Sequence, residues 1–198
     1  MGSKRRGQSR RTNSVDAGSR RTYIIVGLIA AAFLAGFAAL VIVDARQKAA
    51  STPPGEVKTY DVGPGGQHTD GVVDYAQTPP VGGEHNPVWQ NCGFYGEPVA
   101  NENAVHSLEH GAVWITYSPD LPQDQVDQLR DLAHSQTYIL ISPYPDLPSP
   151  VVASAWGKQL RLESADDPDL ERFVRAYRQG PQTPERGAVC TGGIGQPS

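Results

Sequence analysis

Tyr23 to Val43 reads YIIVGLIAAAFLAGFAALVIV, 21 residues without a charge. A helix rises ~1.5 Å per residue, so a stretch of this length crosses the ~30 Å hydrocarbon core of a bilayer. Lipid offers the backbone no hydrogen-bond partner, which leaves a helix as the conformation for it. Residues 1–22 carry Lys4, Arg5, Arg6, Arg10, Arg11, Arg20 and Arg21 against a single Asp16. The positive-inside rule keeps such a tail cytoplasmic and sends the chain after the span outside. These residues predict a single-pass cell-membrane protein, anchored through 23–43, with its C-terminal body in the extracytoplasmic space. A cleaved leader is the rival reading, since Ser19-Arg20-Arg21-Thr22-Tyr23-Ile24 resembles a twin-arginine export signal. The apolar run is longer than the ~7–15 residues of a signal's hydrophobic region, and no small-x-small site follows it. Both readings export the same body.

Charge supports that division. Residues 44–198 hold ten Lys/Arg and twenty Asp/Glu, a net charge of −10. A body so acidic repels phosphate and excludes nucleic acid as a partner; nothing in the sequence names a protein partner. Ala49 to Glu56, AASTPPGE, reads as a solvated linker, set at 44–57. Gly192 to Ser198 reads as a flexible tail. The folded domain is expected over 58–191. Its two cysteines, Cys92 and Cys190, are the only ones in the chain. In an oxidising compartment such a pair most often forms a disulfide, and the absence of C-x-x-C argues against a redox dithiol.

Residues 61–102 are rich in Gly, Pro, Asn and Asp yet contain His68, Tyr75, His85, Trp89, Phe94 and Tyr95. So many rings predict a loop-rich lobe packed on the body, not a free linker. AVWITY (112–117) and YILIS (138–142) read as strands. Between them, Val126, Leu129, Leu132 and Ala133 share one face of a helix over 123–134. Residues 151–156 and 158–163 flank Gly157 as a hairpin. Asp167-Pro168 then caps a helix carrying Leu170, Phe173, Val174 and Tyr177. The order predicts an α+β body with a small mixed sheet and two helices, its first two strands parallel, thioredoxin-like or a similar two-layer fold. The three tryptophans read as core rings.

The chemistry concentrates in Val105-His106-Ser107-Leu108-Glu109-His110-Gly111. On a helix, His106, Glu109 and His110 fall at i, i+3 and i+4 and share a face. Two imidazoles and a carboxylate suit a borderline ion, zinc or copper. His85 is the next ligand candidate and His68 a further one. Glu109 is either a ligand or the group that orients one. With one Met and no thiolate, Zn²⁺ or Cu²⁺ suits the donor set better than Cu⁺. H-x-x-E-H also matches the inverted zinc-peptidase signature, with Glu109 as general base. Gly111 and the strand after it cut that helix short, which fits a peptidase poorly. The plain alternative is a brace, in which these side chains only hydrogen-bond loops. His134, at a helix C-terminus, reads as a surface residue.

VHSLEHGAVWITYSP resembles the family catalogued as domain of unknown function 3105. YAQTPPVGGEHNPVWQNCGFY (75–95), AWGKQLRLE (155–163), FVRAYRQGP (173–181) and VCTGGIG (189–195) carry the same resemblance. It implies an actinobacterial protein with one N-terminal anchor and an extracytoplasmic domain. His85, His106, Glu109 and His110 fall on the family's motif. The family supplies no activity. The resulting expectation is an anchored extracytoplasmic domain that binds copper or zinc, more a binding protein than an enzyme. A metal-free envelope module and a zinc hydrolase are the alternatives.

Overall fold

A computed structural model describes residues 17–51 and 53–198, with side chains over 20–45 and 53–198. Lys4, Arg5, Arg6, Arg10 and Arg11 of the basic tail lie outside these. The chain divides into two compact units at Lys48/Ala49.

The first unit holds one helix, α1 (Ala17–Ser51). Its Arg20–Ala45 stretch, 26 residues, is long and apolar enough to cross a membrane. Apolar side chains stand out all round it: Phe33, Leu34, Phe37 and Leu40 are among its most exposed. A core helix would have one face to hide. The helix runs past the predicted 23–43 at both ends and takes in the first part of the expected linker, because Ala-, Arg- and Lys-rich flanks are good helix formers.

The second unit is an α+β domain. Its elements are β1 (Lys58–Thr59), β2 (Gly93–Phe94), α2 (Asn101–Glu109), β3 (Val113–Tyr117), α3 (Gln123–Ser135), β4 (Ile139–Pro143), β5 (Val151–Ala155), β6 (Lys158–Leu162) and α4 (Pro168–Tyr177). They form one mixed sheet in the order β1-β6-β5-β3-β4-β2. β3 and β4 are parallel across α3, as the predicted crossover requires. β5 pairs antiparallel with both β3 and β6, so the hairpin about Gly157 extends the sheet. The two-residue strands β1 and β2 were not readable from the sequence, being too short to show an alternation.

Period-two alternation sends β3 into two cores. Val113, Ile115 and Tyr117 join Leu129, Leu170 and Phe173 of α3 and α4 on one face. Trp114 packs with Ala104, Val105 and Leu108 of α2 and with Leu140 and Trp156 on the other. Buried on both faces, the strand reads as the uncharged run AVWITY, whose one short polar side chain, Thr116, donates to Val152 O at 3.2 Å. Asp167 caps α4 by accepting from the Asp169 N–H at 2.9 Å, as its Asp-Pro start predicts.

The end of α2 positions the candidate ligands. Gly111 takes φ +96°, a left-handed position glycine enters without a Cβ clash. Its N–H donates to Leu108 O at 3.0 Å and the Ala112 N–H donates to Ser107 O at 2.9 Å. That pair of bonds is a Schellman stop. It turns the chain from helix to central strand within two residues and leaves His106, Glu109 and His110 at the helix's carbonyl end, where the macrodipole favours a cation.

The loop-rich lobe wraps that helix end. A parallel bridge joins His68 to His85, with Thr69 N–H on His85 O at 2.8 Å and His85 N–H on Gln67 O at 3.0 Å. Gly157 N–H donates to Val81 O at 2.7 Å and fixes the lobe to the hairpin turn. The tail after Gly192, expected to fray, is instead held along 89–95. Ile194 bonds Trp89 and Asn91 through its backbone, and Ser198 N–H donates to Phe94 O at 2.9 Å. Small residues let it lie close, where Asn91 bonds both Gly193 and Gly195.

Candidate metal centre

His106 and Glu109 lie one helical turn apart on α2, and His110 is its C-terminal cap. The bridged strands of the lobe lay His68 and His85 over that face. Ligand atoms of His68, His85, His106 and Glu109 fall within 4.8 Å of one another. Donors around a tetrahedral zinc, with bonds of ~2.0–2.1 Å, stand about 3.3 Å apart. His85 Nε2 stands 2.9 Å and His68 Nε2 3.8 Å from Glu109 Oε2, on either side of that spacing, and His68 is the one exposed member of the set.

Each buried imidazole is held the same way. His85 Nδ1 lies 2.8 Å from Gly83 O, His106 Nδ1 2.7 Å from Asn86 O, and His110 Nδ1 2.6 Å from Val189 O. A carbonyl only accepts, so each Nδ1 carries the proton and donates it. The tautomer is thereby fixed, and Nε2 is the nitrogen left to act. This outer bond to a carbonyl is how metal-binding histidines are oriented.

Electrostatics divides the rings. Glu109 is fully buried. Its Oε2 is 2.9 Å from His85 Nε2, and its Oε1 accepts from the Gly66 N–H at 2.5 Å. Burial pushes the Glu109 carboxyl up, but the bonds from His85 and Gly66 outweigh it and hold the group below its ordinary value. Burial pulls His85 down, but its bonds to Glu109 and to the Gly83 carbonyl, together with the negative charges of Glu109 and Glu185, more than reverse this, so its pKa is raised. Between pH 4.5 and 6.5 the metal-free pair is therefore an imidazolium and a carboxylate. Burial, with the repulsion of His110 and His85, drops His106 to about 4. His106 is neutral at pH 7, and among the described residues its Nε2 has no hydrogen-bond partner.

His110 faces the other way along the cluster. Its Nε2 is 3.4 Å from Glu185 Oε2, and His106, His110 and Glu185 form a second group with ligand atoms within 4.8 Å of one another. The structure thus brings together all five sequence-predicted candidates, through two groups that share His106. His134 stands apart, its Nε2 3.0 Å from Ser198 O at the end of α3.

Three contributors were not found by sequence reasoning. Glu185 has no tell-tale spacing. Trp89, read as a core ring, is half-buried with its ring 5.8 Å from His106 and 5.0 Å from His110. The Val189 carbonyl that holds His110 is backbone and carries no residue signal. One clue existed. Cys92 and Cys190 are at disulfide distance, their Cα atoms 5.4 Å apart, so pairing them draws 185–190 against the histidine-bearing lobe.

Fold and cluster together define an α+β domain with a His/Glu group that could hold a metal ion, preceded by an apolar helix. The chain belongs to the family described as Protein of unknown function (DUF3105), which it matches over residues 67–192. That span includes His68, His85, His106, Glu109, His110, Glu185 and both cysteines. No curated protein and no solved structure matches the chain.

Proposed function

We propose that this chain is a single-pass envelope protein whose extracytoplasmic domain binds one transition-metal ion, zinc or copper. The ligands are His106, His85 and His68, with Glu109 supplying negative charge. One observation carries the reading: two of these imidazoles, His85 and His106, are buried and tethered by Nδ1 to backbone carbonyls, which leaves their Nε2 atoms for the cluster. The fit is chemical as well, since nitrogen and carboxylate donors without thiolate suit Zn²⁺ and Cu²⁺. The apolar helix supports a membrane anchor and the cysteine pair an oxidising compartment. The β3–α3–β4 crossover, the β5–β6 hairpin and α4 support a thioredoxin-like shape for the body. The role is buffering, sensing or delivery of the ion at the cell surface.

The brace reading has its own observation. His85 and Glu109 satisfy each other and their loops without any ion. It gives no account of His106, a neutral buried ring with its free nitrogen turned into the group. A hydrolase is the weaker reading, because Glu109 is buried with both oxygens engaged and has no open side from which to activate water.

The test is metal content. Full-length protein, exported to an oxidising compartment and purified in detergent without a His-tag, is assayed by elemental mass spectrometry beside His106→Ala. One ion per chain, lost in the variant, is the expected result. No ion after dialysis against Zn²⁺ or Cu²⁺, with a variant that is only less stable, refutes metal binding and leaves the brace.

A further inference from the structure

His106 is short of nitrogens for what surrounds it. Its Nδ1 is committed to Asn86 O at 2.7 Å, so Nε2 alone can bind an ion, and only one at a time. Yet His106 offers a ring nitrogen to two separate groups with ligand atoms within 4.8 Å of one another, His68, His85 and Glu109 in one and His110 and Glu185 in the other. Each set has a buried imidazole fixed by a carbonyl, and each has one ligand reaching solvent. The His68 side chain is 40% exposed and that of Glu185 48%.

We propose that His106, His110 and Glu185 form a second cation position, and that a single borderline dication passes between the two positions about His106. This deepens the metal-binding reading and rests on it. The move is a ligand substitution at constant oxidation state. Bonds from the ion to His68, His85 and Glu109 break as bonds to His110 and Glu185 form, and His85 and Glu109 return to the contact they make with each other. The shared nitrogen makes the positions alternatives. Repulsion adds to this, since ring centroids step only 4.8 Å from His85 to His106 and 4.5 Å from there to His110, and two dications that close repel strongly. With a solvent-reaching ligand at either end, His68 and Glu185, an ion taken up at one end can leave at the other. That is the arrangement a delivery protein needs.

Two half-exposed positions make the test safe for the fold. Full-length wild type, His68→Ala, Glu185→Gln and the double variant, disulfide intact, are titrated with Co²⁺, whose visible bands report its donors. Bound ion is counted by elemental mass spectrometry. Wild type is expected to bind one ion. His68→Ala keeps one ion with altered bands, now in the second position. Adding Glu185→Gln to His68→Ala weakens binding by roughly 10–100-fold, whereas Glu185→Gln alone leaves the wild-type bands in place. Two ions bound together would overturn the exchange of a single ion about His106, while no ion in His68→Ala, or a double variant that binds like His68→Ala, would overturn the second position and leave the first standing. A wild type that binds no Co²⁺ overturns the metal reading itself.

Discussion

Glu109→Gln separates charge from shape at the centre of the cluster. The amide oxygen still accepts from the Gly66 N–H, and the amide nitrogen can donate to a neutral His85 Nε2, so both contacts survive. Only the ion pair is lost. A hydrogen bond to a charged group contributes about 1.5–3 kcal/mol net, and the variant is expected to lose about that much. The pH decides when. His85 is raised above 6.5 in the folded state, so its contribution is whole below pH 6.5 and disappears as pH rises through the folded value. Glu109 is lowered below 4.5, so its contribution is whole above pH 4.5 and disappears as pH falls through the folded value. Both are complete between pH 4.5 and 6.5. For a domain of this size each kcal/mol moves Tm by about 2–4 °C, so a loss of 2 kcal/mol lowers Tm by about 4–8 °C at pH 5.5. At pH 8.5 the drop shrinks. Thermal melts of metal-free protein at the two pH values read this directly. Zinc at 100 times its Kd adds about 2.7 kcal/mol to the wild type and is expected to add less to the variant. A Tm loss that is flat or grows with pH, together with equal rescue by zinc, would refute the reasoning.

Metal binding near pH 6 should release a proton from His85 Nε2, because the ion replaces it. Calorimetry in two buffers of different ionisation enthalpy counts that proton, and the count should fall toward zero well above the folded His85 pKa. The Cys92→Ser/Cys190→Ser protein should lose about 2–5 kcal/mol, read by urea unfolding, and bind metal more weakly since Val189 and Glu185 lose their anchor. Gly111→Ala forces a Cβ into a left-handed position against Gln179 and Thr183, which should cost about 1–2 kcal/mol and show as a lower urea midpoint at unchanged slope.

The central elements were legible because burial writes them into the residue pattern. AVWITY carries no charge and only one short polar side chain, Thr116, because β3 is covered on both faces, and the 3.6-residue spacing of α3 and α4 marks their single buried faces. The grouping of His106, Glu109 and His110 followed from helical geometry once α2 was helix, and Gly111 signalled its end. The rest of the site was hidden because it is assembled by backbone. Asn86, Gly83 and Val189 contribute carbonyls and Gly66 an N–H, groups that every residue has. The tail misled for a related reason. A Gly-rich composition reads as freedom, while here its lack of side chains permits close backbone contact with Trp89 and Asn91.

Glu185 and Val189 follow every other part of the cluster along the chain, and Cys190 comes just after them. A ribosome therefore delivers the carbonyl that fixes His110, and the carboxylate opposite it, after the helix and lobe they complete. If the body crosses the membrane as an extended thread, the second position is built only once the last segment has emerged and its cysteine has met Cys92. On the proposed metal-binding reading, cytoplasmic ions then find no finished second position to fill, and an ion held there is one acquired on the far side, after oxidation.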